Sequence, residues 1–312
     1  METLSTAFRE IVKQVLILSK SPAVVTEENV FQEYDKDMRP YLDQMVEYLV
    51  LPGSGLDGLE NLEELYAKAE SGKSCLLLPE HYSNLDLSLF TYLVERAGGR
   101  GREISQAVIA IAGMKLNEMN PVVSGFASAY SRIVIYPSRS IQSIDAVKDR
   151  AELIRSNAIN RAAMKALMDK KNKGHLVLIF PSGTRYRPGD PSTKRGVREI
   201  DSYVKSFDYM CMVAINGQVL HVRPGDMMDD EVTKDVVRLS VGPVYSCTEF
   251  RDKARAEAEA KVSAGRDNES SDTGSADASS VDKKQAVADA IMVELEKMHI
   301  DGEEKRKRYL NL

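Results

Sequence analysis

The sequence has no long apolar run. None of its apolar stretches approaches the roughly 18 residues that a membrane-spanning helix requires. Its start, Met1-Glu2-Thr3, lacks the basic segment of a secretory signal peptide, and the run Val15-Leu16-Ile17-Leu18 is too short to be the apolar part of one. These absences predict a protein that is cytoplasmic, or peripheral on the inner face of a membrane.

Cysteine and histidine are scarce. The 312 residues include three cysteines, Cys75, Cys211 and Cys247, which are widely separated and form no Cys-x-x-Cys pair. This spacing argues against a disulfide framework and a zinc site and favours a reducing compartment. The four histidines are too scattered along the sequence to predict a metal cluster. We therefore expect neither a metal nor a cofactor.

Two further absences restrict the function. The net charge is −5, which argues against binding to bulk nucleic acid. The Gly-x-Ser-x-Gly turn of a serine hydrolase does not occur in the sequence, so that class of enzyme is disfavoured. What remains is an ordinary globular composition, with 43% apolar and 29% charged residues.

Helical and strand-like segments alternate along the chain. This order predicts an α/β fold with a mixed, largely parallel sheet covered by helices. Leu51-Pro52-Gly53-Ser54-Gly55 divides a small N-terminal helical domain, 1–55, from an α/β domain, 56–312. A Ser/Asp/Ala/Gly-rich stretch over about 264–281 predicts a flexible insertion before a C-terminal helix over 282–299. Other helices are expected over 3–19, 27–50 with a break at Pro40, 59–69, 87–94, 144–169 and 249–262, and strands over 74–79, 106–112, 133–136, 175–180, 209–216, 219–223 and 235–241.

His81 and Asp86 lie at the most informative junction. The buried-strand pattern Cys75 to Pro79 precedes them, and a helical pattern follows. Five helical steps leave two residues about 140° apart, so the two side chains meet only if His81 lies in the loop and Asp86 in the first helical turn. A carboxylate held against Nδ1 would leave Nε2 free to accept a proton from a hydroxyl.

A purely structural interpretation of the same residues stays open. Ser83-Asn84-Leu85-Asp86 is also a capping-box pattern, with Ser83 as the N-cap and Asp86 three residues later. In that case Asp86 starts the helix and His81 is an ordinary loop residue.

A basic loop follows a later strand. Phe180 is followed by Pro181-Ser182-Gly183-Thr184-Arg185-Tyr186-Arg187-Pro188, which is expected at the same sheet edge as His81. Two guanidinium groups, on Arg185 and Arg187, suit a phosphate dianion. The alternative is a loop held by salt bridges to Asp190 or Glu199. A third cation, Arg139, follows another predicted strand.

His81-x4-Asp86, followed about a hundred residues later by Phe-Pro-x-Gly-Thr-Arg, resembles the glycerolipid acyltransferase superfamily. The loop at 181–188 is more similar to Pro-Ser-Gly-Gly-Arg-Asp-Arg-Pro of the soluble, plastid-type glycerol-3-phosphate acyltransferases. Further similar segments are Ala112-Gly113, Ile135 to Arg139 and Leu239 to Pro243, and the likeness runs from about Phe31 to Phe250. Arg139-Ser140 stands where the family has Lys-His, and Ser182 agrees with the plastid type.

The resemblance implies an enzyme in which His81 is the base and Asp86 orients it. It assigns Arg139, Arg185 and Arg187 to the phosphate and Pro181, Ser182, Gly183 and Thr184 to the motif loop. The implied reaction is transfer of an acyl group from acyl-CoA or acyl carrier protein to the sn-1 hydroxyl of glycerol 3-phosphate. Acylation of 1-acylglycerol 3-phosphate and a non-catalytic phospholipid-binding protein are the alternatives. The basic tail Lys305 to Arg308 is either a solvated end or a contact with anionic lipid.

Overall fold

The main structural element is a nine-stranded sheet. Its mixed, largely parallel character and its covering of helices confirm the predicted fold class. The computed structural model describes residues 2–19, 24–114, 121–145, 148–225, 227–267 and 282–310. The strands are β1 Glu2–Thr3, β2 Phe31–Gln32, β3 Gly55–Asp57, β4 Cys75–Pro79, β5 Val108–Gly113, β6 Arg132–Ile135, β7 Leu176–Leu178, β8 Tyr209–Asn216, β9 Leu220–His221, β10 Glu231–Val232, β11 Arg238–Val241 and β12 Tyr245–Ser246.

The strand order of the main sheet is β2-β6-β5-β7-β4-β8-β11-β3, with β12 also paired to β8. Strands β6, β5, β7, β4 and β8 are mutually parallel, while β2 and β11 add antiparallel neighbours at either side. A separate small sheet has the order β1-β10-β9. The parallel strands direct all their carboxyl ends to one edge, where ligands bind in open α/β sheets.

Helices cover both faces of the sheet. They are α1 Leu4–Ala7, α2 Arg9–Leu18, α3 Arg39–Leu49, α4 Leu59–Glu70, α5 Asp86–Arg96, α6 Gly101–Ala107, α7 Pro121–Ser128, α8 Ser138–Gln142, α9 Arg150–Lys170, α10 Ile200–Ser206, α11 Cys247–Asp267 and α12 Lys283–Arg306.

Alternate residues of each strand face opposite sides of the sheet. On β4, Leu77 packs into a core with α3, α4 and α5, whereas Leu76 and Leu78 pack into a second core with α9, α10 and α12. The continuous apolar run of β4 is therefore explained by burial on both faces, as in other parallel sheets. No helix within the described ranges is both long enough and apolar enough to cross a membrane.

Several predicted boundaries are wrong. Pro40 does not break a helix over 27–50. It lies in the first turn of α3, where its missing N–H costs no hydrogen bond, and residues 31–32 form the edge strand β2 instead. The strand predicted from Gln106 begins at Val108, because the preceding residues end α6. The helix predicted over 144–169 begins at Arg150.

The N-terminal part shares its core with the sheet. Leu4, Phe8 and Leu42 pack in the same apolar cluster as Leu77 and Leu239. The division at residue 55 into two domains stays a prediction. Helix α11 runs to Asp267, so the predicted insertion at 264–281 begins with helical residues, and its positions 268–281 lie outside the described residues.

Helix α12 extends beyond its predicted end at 299 and lies across β8 and β11. Gly302 makes the crossing possible, since a Cβ there would be 2.1 Å from Asn216 Oδ1. At its end, Arg306 is mostly buried against Asp235 and Glu303. This part of the basic tail is therefore docked on the protein.

Candidate active site

His81 and the basic loop lie on neighbouring strands of the sheet. His81 follows β4, and the loop that begins at Phe180 follows β7, which pairs with β4 in parallel through Leu77 and Leu178. The backbone N–H of Tyr186 donates a hydrogen bond to the His81 carbonyl, with an N–O distance of 2.8 Å. The two segments that the sequence places at one edge are thus directly bonded to each other.

The side chains of His81 and Asp86 are in contact. His81 Nδ1 lies 2.9 Å from Asp86 Oδ2, and the Asp86 side chain is 2% exposed. A carboxylate accepts hydrogen bonds, so the contact assigns the ring proton to Nδ1 and leaves Nε2 with a free lone pair. The His81 ring stacks on Phe180 with a centroid distance of 3.8 Å and an interplanar angle of 15°, which restricts its rotation.

Asp86 also organises the loop that carries His81. Its Oδ2 accepts hydrogen bonds from Tyr82 N and Ser83 N at 2.6 and 2.8 Å, and its Oδ1 accepts one from Ser83 Oγ at 2.7 Å. Ser83 Oγ in turn accepts from Leu85 N. The capping pattern and the His81 contact are therefore simultaneous, and one carboxylate makes both.

The turn after His81 has few free N–H groups. Those of Tyr82 and Ser83 bind Asp86, and that of Leu85 binds Ser83 Oγ. Backbone N–H groups near a helix start can stabilise an oxyanion. Three of them are already used within the loop.

Arg185 is held by an acidic residue that the sequence does not indicate. Its Nη1 lies 3.1 Å from Oδ2 of Asp230, whose side chain is 1% exposed. Asp230 also accepts a hydrogen bond from Arg223 N at 2.8 Å. The sequence suggests Asp190 or Glu199 as partners for this loop, but Asp190 caps the turn Pro191–Lys194 instead.

Arg187 and Arg139 are both exposed. The backbone N–H of Arg187 is bound by Thr193 Oγ1 at 2.9 Å, which leaves the guanidinium at the surface of the loop. Arg139 lies in α8 after β6, and β6 is three strand positions from β4 in the sheet order. At about 4.8 Å per position, the two strand axes are about 14 Å apart. The structure thus places the backbone of the loop with Arg185 and Arg187 beside His81, directs the Arg185 side chain to Asp230, and puts Arg139 farther along the same edge.

The motif loop is tightly folded. Gly183 has a φ of +64°, a left-handed conformation that favours glycine. Ser182 is buried, and its hydroxyl donates a hydrogen bond to the Thr184 carbonyl at 2.7 Å. Pro181 accepts one from Val197 N through its carbonyl oxygen. These contacts give Ser182 a role in shaping the loop.

A small pocket opens beside the imidazole. Its walls come from the His81 turn, the motif loop, the Pro191–Lys194 turn and α12, and include Tyr82, Pro181, Ser182, Tyr186, Lys194 and Met292. Among the described residues, no group of three or more His, Cys, Asp or Glu side chains is arranged to hold a metal ion.

Sequence reasoning missed a polar cluster directly behind the site. Glu80 is 4% exposed, and its carboxylate binds Tyr82 OH at 2.8 Å and His299 Nδ1 at 2.9 Å. Burial and the adjacent Glu80 raise the pKa of the Tyr82 phenol. In the sequence, only the position of Glu80 next to His81 indicates a role near the site. No sequence pattern connects His299 to Glu80, which lies 219 positions earlier.

The class of enzyme is shown by a comparison with known protein families. The model of the acyltransferase family matches residues 56–223, which is more than half of the chain. The chain therefore belongs to the acyltransferase family, within the glycerolipid acyltransferase superfamily. Membership implies an acyl donor and a lipid acceptor as substrates. A comparison with curated protein sequences gives no match.

Proposed function

We propose that this acyltransferase moves an acyl group from an acyl-CoA or acyl carrier protein thioester to the sn-1 hydroxyl of glycerol 3-phosphate. The observation that carries the proposal is the His81–Asp86 contact next to a loop with two arginines. An imidazole that is oriented by a carboxylate can deprotonate an alcohol, and nearby guanidinium groups can hold its phosphate. The resemblance of Ser182 and its loop to the plastid-type enzymes favours the unacylated acceptor.

In the proposed reaction, His81 Nε2 accepts the proton of the 1-hydroxyl while the hydroxyl oxygen attacks the thioester carbonyl carbon. The new C–O bond forms, the C–S bond breaks, and the sulfur leaves as a thiolate that takes up the proton from His81. Neither a covalent enzyme intermediate nor a cofactor is required. The main contribution of the protein is orientation, which can supply a large part of the rate enhancement.

Arg185 can bind a phosphate without leaving Asp230. A guanidinium has five N–H donors, and the contact with Asp230 is made through Nη1. Asp230 thus holds the side chain in place while other donors remain for a ligand. Arg187 supplies a second, exposed cation on the same loop. Arg139, farther along the edge, is the third proposed contact.

The direct test mixes the protein with an acyl-CoA and either glycerol 3-phosphate or 1-acylglycerol 3-phosphate and measures free CoA. The same pair of acceptors is then tested with an acyl carrier protein donor. Acceptor-dependent thiol release with glycerol 3-phosphate supports the proposal. Release with 1-acylglycerol 3-phosphate alone would show that the second hydroxyl is the true acceptor and that our assignment of the substrate is wrong.

The variant Arg185→Ala is expected to raise the KM for glycerol 3-phosphate by about 10- to 100-fold, since a charge-assisted contact contributes roughly 1.5–3 kcal/mol. The kcat should change much less, because His81 and Asp86 keep their contact. Steady-state kinetics at varied acceptor concentration measure both constants. Arg102→Ala, which removes an exposed arginine on α6, is the matched control. An unchanged KM in Arg185→Ala would remove this residue from the phosphate site.

A further inference from the structure

Glu80 is a buried carboxylate that the proposed reaction does not use. It lies between Pro79, the last residue of β4, and His81. Its backbone N–H binds the Val213 carbonyl at 3.0 Å, and its Oε2 accepts a hydrogen bond from Ile215 N at 2.8 Å. The carboxylate is therefore fixed to the neighbouring strand β8, and its remaining contacts go to side chains.

Those side chains are Tyr82 and His299. Tyr82 OH donates to Glu80 Oε1, and His299 Nδ1 lies 2.9 Å from Glu80 Oε2 and 3.3 Å from Tyr82 OH. His299 belongs to α12, which lies outside the part of the chain that matches the acyltransferase family. A helix from the end of the chain thus reaches the back of the site through one imidazole.

Tyr82 connects this cluster to the proposed catalytic residues. Its backbone N–H donates to Asp86 Oδ2 at 2.6 Å, so it shares this oxygen with His81. Its ring packs edge-on against Tyr186, whose backbone N–H binds the His81 carbonyl. The residues immediately before and after His81 are both held by the cluster that His299 completes.

We infer that His299 is a positioning residue: from α12 it fixes Glu80 and Tyr82 and thereby orients the His81–Asp86 pair. The inference rests on the proposed function in one respect, the role of His81 as the base. His299 does not touch the pair, so its effect is on geometry.

The protonation state of His299 gives this role a measurable signature. The ionisable groups that face it are Glu80, Tyr82, Lys194 and Glu296. Burial lowers the pKa of His299, but the hydrogen bond and the charge of Glu80 outweigh burial and leave the pKa raised. The stabilising ion pair is thus complete below the ordinary histidine pKa of about 6.5 and is lost as the pH rises through the raised value. We expect the kcat of the natural protein to decline on that alkaline side.

The test compares His299→Leu and His299→Gln in the full chain, with steady-state kinetics across pH using acyl-CoA and glycerol 3-phosphate. His299→Leu removes the imidazole from Glu80 Oε2 and leaves Tyr82 OH and Ile215 N as the donors to this carboxylate, and we expect kcat to fall about 10-fold with little change in the acceptor KM. The amide of His299→Gln can still donate to Glu80 but carries no charge, so its kcat should match the lower value that the natural protein reaches at alkaline pH and should exceed that of His299→Leu. Neither variant titrates here, so both should lack the alkaline decline of kcat.

The matched control is His175→Gln, which changes a histidine just before β7, at the opposite edge of the sheet. It should retain the kcat and the pH profile of the natural protein. A His299→Gln variant with the natural alkaline decline would overturn the inference, as would natural kcat in His299→Leu. The His81 variant described below separates the two proposals: if it keeps its activity, the proposed function fails, whereas normal His299 variants beside an inactive His81 variant refute only the role of His299.

Discussion

Replacing His81 with alanine is expected to lower kcat for acyl transfer by roughly 10²–10⁴-fold, the range that general-base catalysis contributes. The side chain is the one imidazole in contact with Asp86, and its loss removes the acceptor for the hydroxyl proton. The loop itself should persist, because Asp86 keeps its hydrogen bonds to Tyr82 N, Ser83 N and Ser83 Oγ. Thiol release under saturating substrates measures the effect.

The control for this variant is His175→Ala, which removes a different half-buried imidazole from the start of β7. Circular dichroism should show the same helix content in both variants. Full thiol release by a folded His81→Ala protein would contradict the role of His81 as the base.

The second large effect is expected for Asp86→Asn. The amide has nearly the same shape, but it lacks the charge that stabilises the protonated imidazole during the reaction. We expect kcat to fall by at least about 10²-fold. Without its carboxylate partner the imidazole is no longer held in the tautomer with the proton on Nδ1, and its protonated form is no longer stabilised. The free energy of unfolding should also fall by about 1–2 kcal/mol, since hydrogen bonds to a charged group become neutral ones. Kinetics and urea unfolding give the two quantities.

Asp201→Asn separates the two effects. Asp201 is another buried aspartate, and it pairs with Arg251 and Arg255 on α11 rather than with a residue of the site. Its amide variant should lose stability and retain kcat. If Asp86→Asn behaves in the same way, Asp86 is only a structural residue of the loop.

The sheet edge was predictable because its signals are local. The apolar run of β4 and the helical pattern that follows are enough to place His81 in a turn and Asp86 in the first turn of α5. The two interpretations of Asp86, cap or orienting carboxylate, could not be separated from the sequence. The structure shows why, since Oδ2 is shared by His81 and the backbone of the loop.

The remaining parts depend on contacts between distant segments. Asp230 meets Arg185 across 45 positions of sequence, and His299 meets Glu80 across 219. Neither pair leaves a spacing pattern, because each partner lies in a different element. The error at Pro40 has another cause. Proline is tolerated in the first turn of a helix and also occurs where a helix breaks, so Pro40 alone does not distinguish the start of a helix from its end.

The strand β11 and the helix α12 carry a practical consequence for anyone who recombines this enzyme. A fragment cut after Arg223 would keep His81, Asp86, Arg185 and Arg187. It would lose β11, the antiparallel neighbour of β8, so that β8 would become an exposed edge strand with unpaired backbone groups. Exposed edge strands pair with strands of other chains and lead to aggregation. The transferable module is therefore longer than the family segment and has to include the chain as far as Arg306.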